Sequence, residues 1–140
     1  MIYLYLFGTC FHFIYVFMII GNIIWIVFGG LLLSLEYIVA GILMCVTIIG
    51  IPFGVQAFKL GFLALCPFGH KAADAPGEPG CLSVVMNIIW ILVGGIWIAL
   101  THLVFGILFC VTIIGIPFGL QHFKLMTLSF TPFGKDIVSC

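Results

Sequence analysis

Charge is what this sequence has least of. Its 140 residues carry four lysines, four acidic side chains and no arginine, so charged residues make up 6% of the chain. Soluble domains run near ~25%, and so few charges cannot give a globule of this size a water-compatible surface. With 65% hydrophobic residues the chain is equally far from disorder, which needs low hydrophobicity and high net charge. A formal net charge of zero and a pI near 6.9 leave no basic footprint for nucleic acid. Catalytic vocabulary is missing too. No Ser/His/Asp or Cys/His arrangement and no phosphate-cradling Gly-Lys-Ser/Thr loop occurs, so neither an enzyme nor a cofactor is expected. Residues 1–20 are apolar but lack the charged start and small-residue cleavage site of a signal peptide. The remaining class is a multi-pass integral membrane protein.

Two long apolar stretches carry the composition, residues 22–66 and 84–130. As one straight helix, the first would be about 67 Å long, against a hydrocarbon core about 30 Å thick. Each must therefore fold back, kink or run along the surface. The interruption is supplied by Gly50-Ile51-Pro52-Phe53-Gly54 and again by Gly115-Ile116-Pro117-Phe118-Gly119. Proline removes a backbone donor and the flanking glycines relax the chain. Backbone groups freed at such a point must be buried in protein or face water. Between the stretches, residues 67–80 hold three of the six prolines together with Lys71, Asp74 and Glu78, and read as an exposed linker.

The chain is a duplication. A shift of 65 residues aligns 22–69 with 87–134 without a gap, and 30 of those 48 positions are identical. The expected fold is all-α: two tandem repeats, each a long transmembrane helix, a Gly-Ile-Pro-Phe-Gly break and a shorter helix over 53–66 or 118–131. Residues 1–21 would add an N-terminal helix, 70–86 a polar linker and lead-in, and 135–140 a tail. Two crossings per copy would leave the copies parallel and one crossing would invert them. Lys71 and Lys135 follow the two Pro-Phe-Gly ends, and a shared cytoplasmic side for both favours parallel copies.

The doubled succession Asn-Ile-Ile-Trp, Ile-Ile-Gly-Ile-Pro-Phe-Gly, Gln-x-Phe-Lys-Leu and Pro-Phe-Gly resembles the YccF family of small multi-pass membrane proteins. The resemblance runs from Asn22 to about Lys135. It implies a bacterial inner-membrane location and the duplicated domain, and it supplies no reaction, cofactor or catalytic residue.

Among individual residues, Gln56 and Lys59 share one face of the first short helix, and Gln121 and Lys124 share the same face of the second. Ionisable groups inside a membrane usually face a cavity or the bundle interior, and a helix starting at a break points its positive end into the gap. The pair of faces would line an anion-preferring path. Alternatively, both lysines snorkel to the headgroups from inclined amphipathic helices. Glu36 and His102 would modulate the path, or Glu36 is simply held near a helix end. Gly29, Gly30, Gly94 and Gly95 would permit close helix packing. Trp25 and Trp90 would anchor helices at the headgroups. The histidines lack zinc-site spacing, so no metal is expected. Cys45 and Cys110 read as small hydrophobes, and Cys66 and Cys81 flank the linker.

The first functional expectation is a homo-oligomeric channel, since so short a chain can hardly enclose a pore alone. Membrane lipids, copies of itself and inorganic ions are its expected partners. The alternative is a non-conducting scaffold or accessory protein that binds lipid or another membrane protein.

Overall fold

The computed structural model describes residues 2–76 and 80–139, with side chains from His12 onward. The first long helix runs from α1 (Ile2–Trp25) through a π-turn at Ile26–Gly30 into α2 (Leu31–Cys45). The chain reverses over residues 46–50, returns as α3 (Ile51–Leu65) packed along α2, and ends in a short strand, β1 (His70–Asp74). The second copy repeats this with α4 (Cys81–Trp90), a π-turn at Ile91–Gly95, α5 (Ile96–Cys110), α6 (Ile116–Phe130) and β2 (Lys135–Ser139). Two helical stretches, His12–Cys45 and Cys81–Cys110, are long and apolar enough to cross a membrane. Residues 2–21 continue through Gly21-Asn22 without interruption, so they lengthen the first long helix instead of forming a separate one.

The Gly-Ile-Pro-Phe-Gly segments make the reversals. The Gly50 N–H donates to Thr47 Oγ1 at 3.1 Å, and the Gly115 N–H to Thr112 Oγ1 at 3.2 Å. A Cβ on Gly50 would sit 1.9 Å from the Met44 carbonyl oxygen, so only glycine fits. Pro52 and Pro117 fall in the first turn of α3 and α6, where a missing donor costs nothing. Gly54 and Gly119 then let the returning helix close on its partner. A Cβ on Gly54 would lie 2.3 Å from Cys45 Sγ, and one on Gly119 would lie 2.4 Å from Cys110 Sγ.

Each Pro-Phe-Gly segment turns a helix into a strand. Gly69 and Gly134 adopt φ of 93° and 92°, a region open to glycine and strained for other residues. The strands pair antiparallel with Ala72 opposite Ile137 at the centre. This two-stranded sheet corrects the all-helical expectation, and with it the reading of residues 70–86 as only linker and 135–140 as only tail. The sequence His-Lys-Ala-Ala-Asp has little intrinsic β preference; its pairing depends on a partner in the other repeat.

The direction of the repeats is the second correction. Ala72 and Ile137 occupy equivalent positions in the two copies, as do Glu36 and Thr101, which hydrogen-bond where α2 meets α5. Two such self-paired positions fix a pseudo-twofold axis through the sheet and the helix crossing. The long helices run antiparallel about it, with Phe28 against Phe109, Glu36 against Thr101 and Ala40 against Gly94. Lys71 and Lys135 do share one sheet. They meet because each tail folds back along the bundle, not because the helices point the same way. One face of the sheet, through Ala72 and Ile137, packs on a core that includes Trp25, Leu33, Tyr37, Leu60 and Trp90.

Close helix contact makes Gly54 intolerant of bulk. Gly54→Leu is expected to lower stability by about 1–3 kcal/mol through overpacking, whereas Gly80→Ala, with nothing within 4 Å of the added carbon, is expected to be neutral. Thermal unfolding in detergent measures both, and a Gly54→Leu midpoint equal to the parent's would contradict the packing.

Candidate functional site

Where α3 and α6 end, a side-chain amide replaces the lost helical partners. Asn22 Nδ2 donates to the Phe68 carbonyl and Asn22 Oδ1 accepts from the Phe68 N–H, both at 3.0 Å. Asn87 clamps Phe133 in the same way, at 3.2 and 3.0 Å. One helical turn further on, Trp25 Nε1 donates to the Ala64 carbonyl at 2.7 Å, and Trp90 Nε1 to that of Ser129 at 2.8 Å. Trp25 and Trp90 are 1% and 0% exposed, so they are core locks, and their expected role as headgroup anchors is corrected. Their hydrogen bonds satisfy carbonyls at the helix ends, a role that the Asn-Ile-Ile-Trp motif announces only through its recurrence.

The aromatic rings then exchange across the axis. Phe68 packs edge-on against Phe118 at 5.5 Å, and Phe133 against Phe53 at 4.8 Å. Each tail is thus held by its own long helix and by the start of the other copy's returning helix. Gln56 belongs to this tethering, because its Nε2 donates to the backbone carbonyl of Lys135.

The expected path residues do not converge. Lys59 and Lys124 are exposed on the outer sides of α3 and α6. Lys124 and Gln121 border a cleft beside the sheet, together with Lys71 and Lys135. Lys135 is ion-paired with Asp74. Glu36 lies instead in a groove between the long helices, where it accepts from Thr101 Oγ1 at 2.8 Å. His102 is fully buried, which removes it from any path that water could reach.

His102 has a different partner, which its spacing along the chain conceals. Its Nδ1 lies 3.1 Å from His122 Nδ1, so one ring donates and the other accepts. His122 sits 4.2 Å from the Trp25 ring, with Phe105 and Phe109 stacked near it at 5.6 and 5.5 Å. At the equivalent positions the first copy carries Tyr37 and Ala57, so only the second holds this polar pair. The Nε2 atoms of both rings are buried without a hydrogen-bond partner. Among the described residues no group of three or more His, Cys, Asp or Glu side chains could hold a metal ion. Cys45, Cys66, Cys81 and Cys110 are free thiols.

The paired glycines lie at close approaches. A Cβ on Gly94 would come 2.8 Å from that of Ala40, and one on Gly30 would come 2.3 Å from the Trp25 ring. A Cβ on Gly95 would lie 2.9 Å from the Ser129 carbonyl oxygen. Gly29, at φ 153°, faces Phe105 and His122.

Apolar paired helices, an internal duplication and a small charged sheet define a duplicated, mostly helical membrane protein. Comparison with known proteins gives that class its family. An inner membrane component domain model, YccF, matches residues 20–70 and again 85–135. The inner membrane protein YccF of Escherichia coli (strain K12) is 32% identical over 126 residues, covering 84% of this chain and 85% of that protein. The protein of the same name from Shigella flexneri aligns with the same identity and coverage. The chain belongs to the YccF inner membrane component family, and the relatives place it in a bacterial-type inner membrane. No solved structure matches it.

Two predictions follow from the buried polar contacts. Asn87→Ala removes both partners of the Phe133 backbone and should lower stability by about 1–3 kcal/mol; an unchanged unfolding midpoint in detergent would contradict the clamp. For the imidazole pair, His102→Phe or His122→Phe alone leaves the other ring without its partner. The double replacement should therefore cost less than the sum of the singles, and strict additivity in a double-mutant cycle would show that the rings do not interact.

Proposed function

We propose that the protein is a non-conducting membrane scaffold or accessory protein, with its charged sheet at headgroup level and its long-helix face in the hydrocarbon. The observation that carries this reading is the dispersal of the groups an ion path would need. Gln56 is engaged by a backbone carbonyl, the two free lysine heads lie on the outside, Glu36 is on a different face, and His102 is sealed. The layering supports the placement. Strands bearing Lys71, Asp74, Lys135 and Asp136 cannot face lipid, where unpaired polar groups cost several kcal/mol. The reversals are suited to it: Ile48 and Ile113 are each 88% exposed on turns without a charged side chain.

A homo-oligomeric, anion-preferring channel is the second reading, and one observation favours it. Glu36 Oε2 is buried without a hydrogen-bond partner, on a groove lined by Leu35, Val39 and Trp97. A second copy seated there would complete it.

Flux through protein reconstituted in liposomes separates the two, with chloride and potassium gradients imposed separately. The scaffold reading predicts no flux above empty vesicles for either ion. Selective flux that Lys124→Glu reverses or abolishes would overturn it and establish the channel.

A further inference from the structure

The cleft beside Lys124 is the most strongly cationic feature of the molecule. It has a volume of about 330 Å³ and lies between α6 and the sheet, reaching Leu63 of α3 on the far side. Three of the four lysines, Lys71, Lys124 and Lys135, line it with His70, and among the described residues no carboxylate does. Asp74 is engaged by Lys135 and is itself largely exposed, so among the described residues Lys71 and Lys124 have no ion-pair partner. Asp136 borders a separate cavity beside Phe53 and Gln56.

Comparison of the two copies shows that this chemistry belongs to one side of the axis, where second-copy residues of α6 face the first copy's strand. Gln121, Lys124 and Leu125 have their equals in Gln56, Lys59 and Leu60, but Thr127 and Thr131 replace Phe62 and Cys66. At the strand position where the first copy supplies Lys71, the second has Asp136. The α6 side of the axis therefore carries two hydroxyls in place of Phe62 and Cys66 and faces a lysine. The floor of the same cleft is apolar, formed by Leu63, Leu125 and Leu128.

We propose that this cleft binds a phosphate group, and that its source is the headgroup of an anionic phospholipid. Lys71 and Lys124 would hold the phosphate oxygens through charge-assisted hydrogen bonds, with Thr131 as a further donor, while the Thr127 hydroxyl donates to the Lys124 carbonyl at 2.8 Å and borders the cleft. The leucine floor accommodates the glycerol and first methylenes, and the exposed Leu120 and Phe130 of α6 continue the apolar surface for an acyl chain. A free phosphate ion would leave that floor uncovered, which is why the lipid is the favoured source. The proposal deepens the scaffold reading and rests on its placement of the sheet at headgroup level.

The test is native mass spectrometry of the full chain in neutral detergent, titrated with dioleoyl phosphatidylglycerol or dioleoyl phosphatidylcholine. A separate arm titrates inorganic phosphate against the phosphatidylglycerol complex. Phosphatidylglycerol should be retained preferentially, and Lys71→Gln with Lys124→Gln should weaken it about tenfold or more, given the attraction of each basic residue near an anionic surface. Thr127→Phe installs the residue the first copy already tolerates and should block the cleft sterically in a folded protein. Lys59→Gln, which removes the same charge outside the cleft, should leave retention near the parent value. Equal retention of both lipids, or equal loss with Lys59→Gln, would overturn the site. So would full retention in the Thr127→Phe protein. Displacement by millimolar inorganic phosphate would overturn the lipid as the source. Ion flux is read separately, so selective flux with lipid retention intact would sink the scaffold reading and leave the cleft standing.

Discussion

Every backbone group that the chain frees on leaving a helix must find its partner within the protein, because lipid offers none. Each copy has such a point where its returning helix ends in Pro-Phe-Gly. The amide of Asn22 or Asn87 meets both backbone groups of the phenylalanine, and the indole of Trp25 or Trp90 takes a carbonyl of the last helical turn. These contacts fix the end of α3 or α6 against its long helix. They also set where each strand begins, and the strands join the copies. Glycine at the reversal and in the first turn of the returning helix brings the hairpin arms close enough for this to happen.

Much of this was legible from the residues. The duplication, the reversal at Gly-Ile-Pro-Phe-Gly and the membrane class follow from identity at a fixed shift, from proline and glycine chemistry, and from the shortage of charge. What was not legible depends on contacts between copies. The strand His70–Asp74 has no pattern of its own and exists because Lys135–Ser139 lies beside it. His102 and His122 are twenty residues apart and on different helices, so no spacing rule could join them. Trp25 and Trp90 sit near a helix start in sequence, the usual place of a headgroup anchor. The hydrogen bonds that draw them inward are to residues 39 positions away.

The two copies share a scaffold and divide its chemistry. The first contributes Glu36 at the axis and Tyr37 stacked on Trp90 at 6.0 Å. The second contributes Thr101, the imidazole pair and the hydroxyls bordering the basic cleft. A single repeat placed against an identical copy would satisfy the same tethers yet lack this division. Divergence at a few positions around a preserved frame is how a duplicated protein gains a face with distinct chemistry, here the cationic side of the sheet.

The account stands on the antiparallel joining of the two tails, since both the axis and the cationic face depend on it. The most direct measurement is disulfide cross-linking in membranes of a chain whose native cysteines are replaced by serine. The sheet register pairs Ala73 with Asp136, so Ala73→Cys combined with Asp136→Cys should cross-link within one chain on mild oxidation. A parallel joining would set equivalent positions side by side. Cross-linking of Lys71→Cys with Asp136→Cys in place of the 73–136 pair would contradict the antiparallel sheet and the axis built on it.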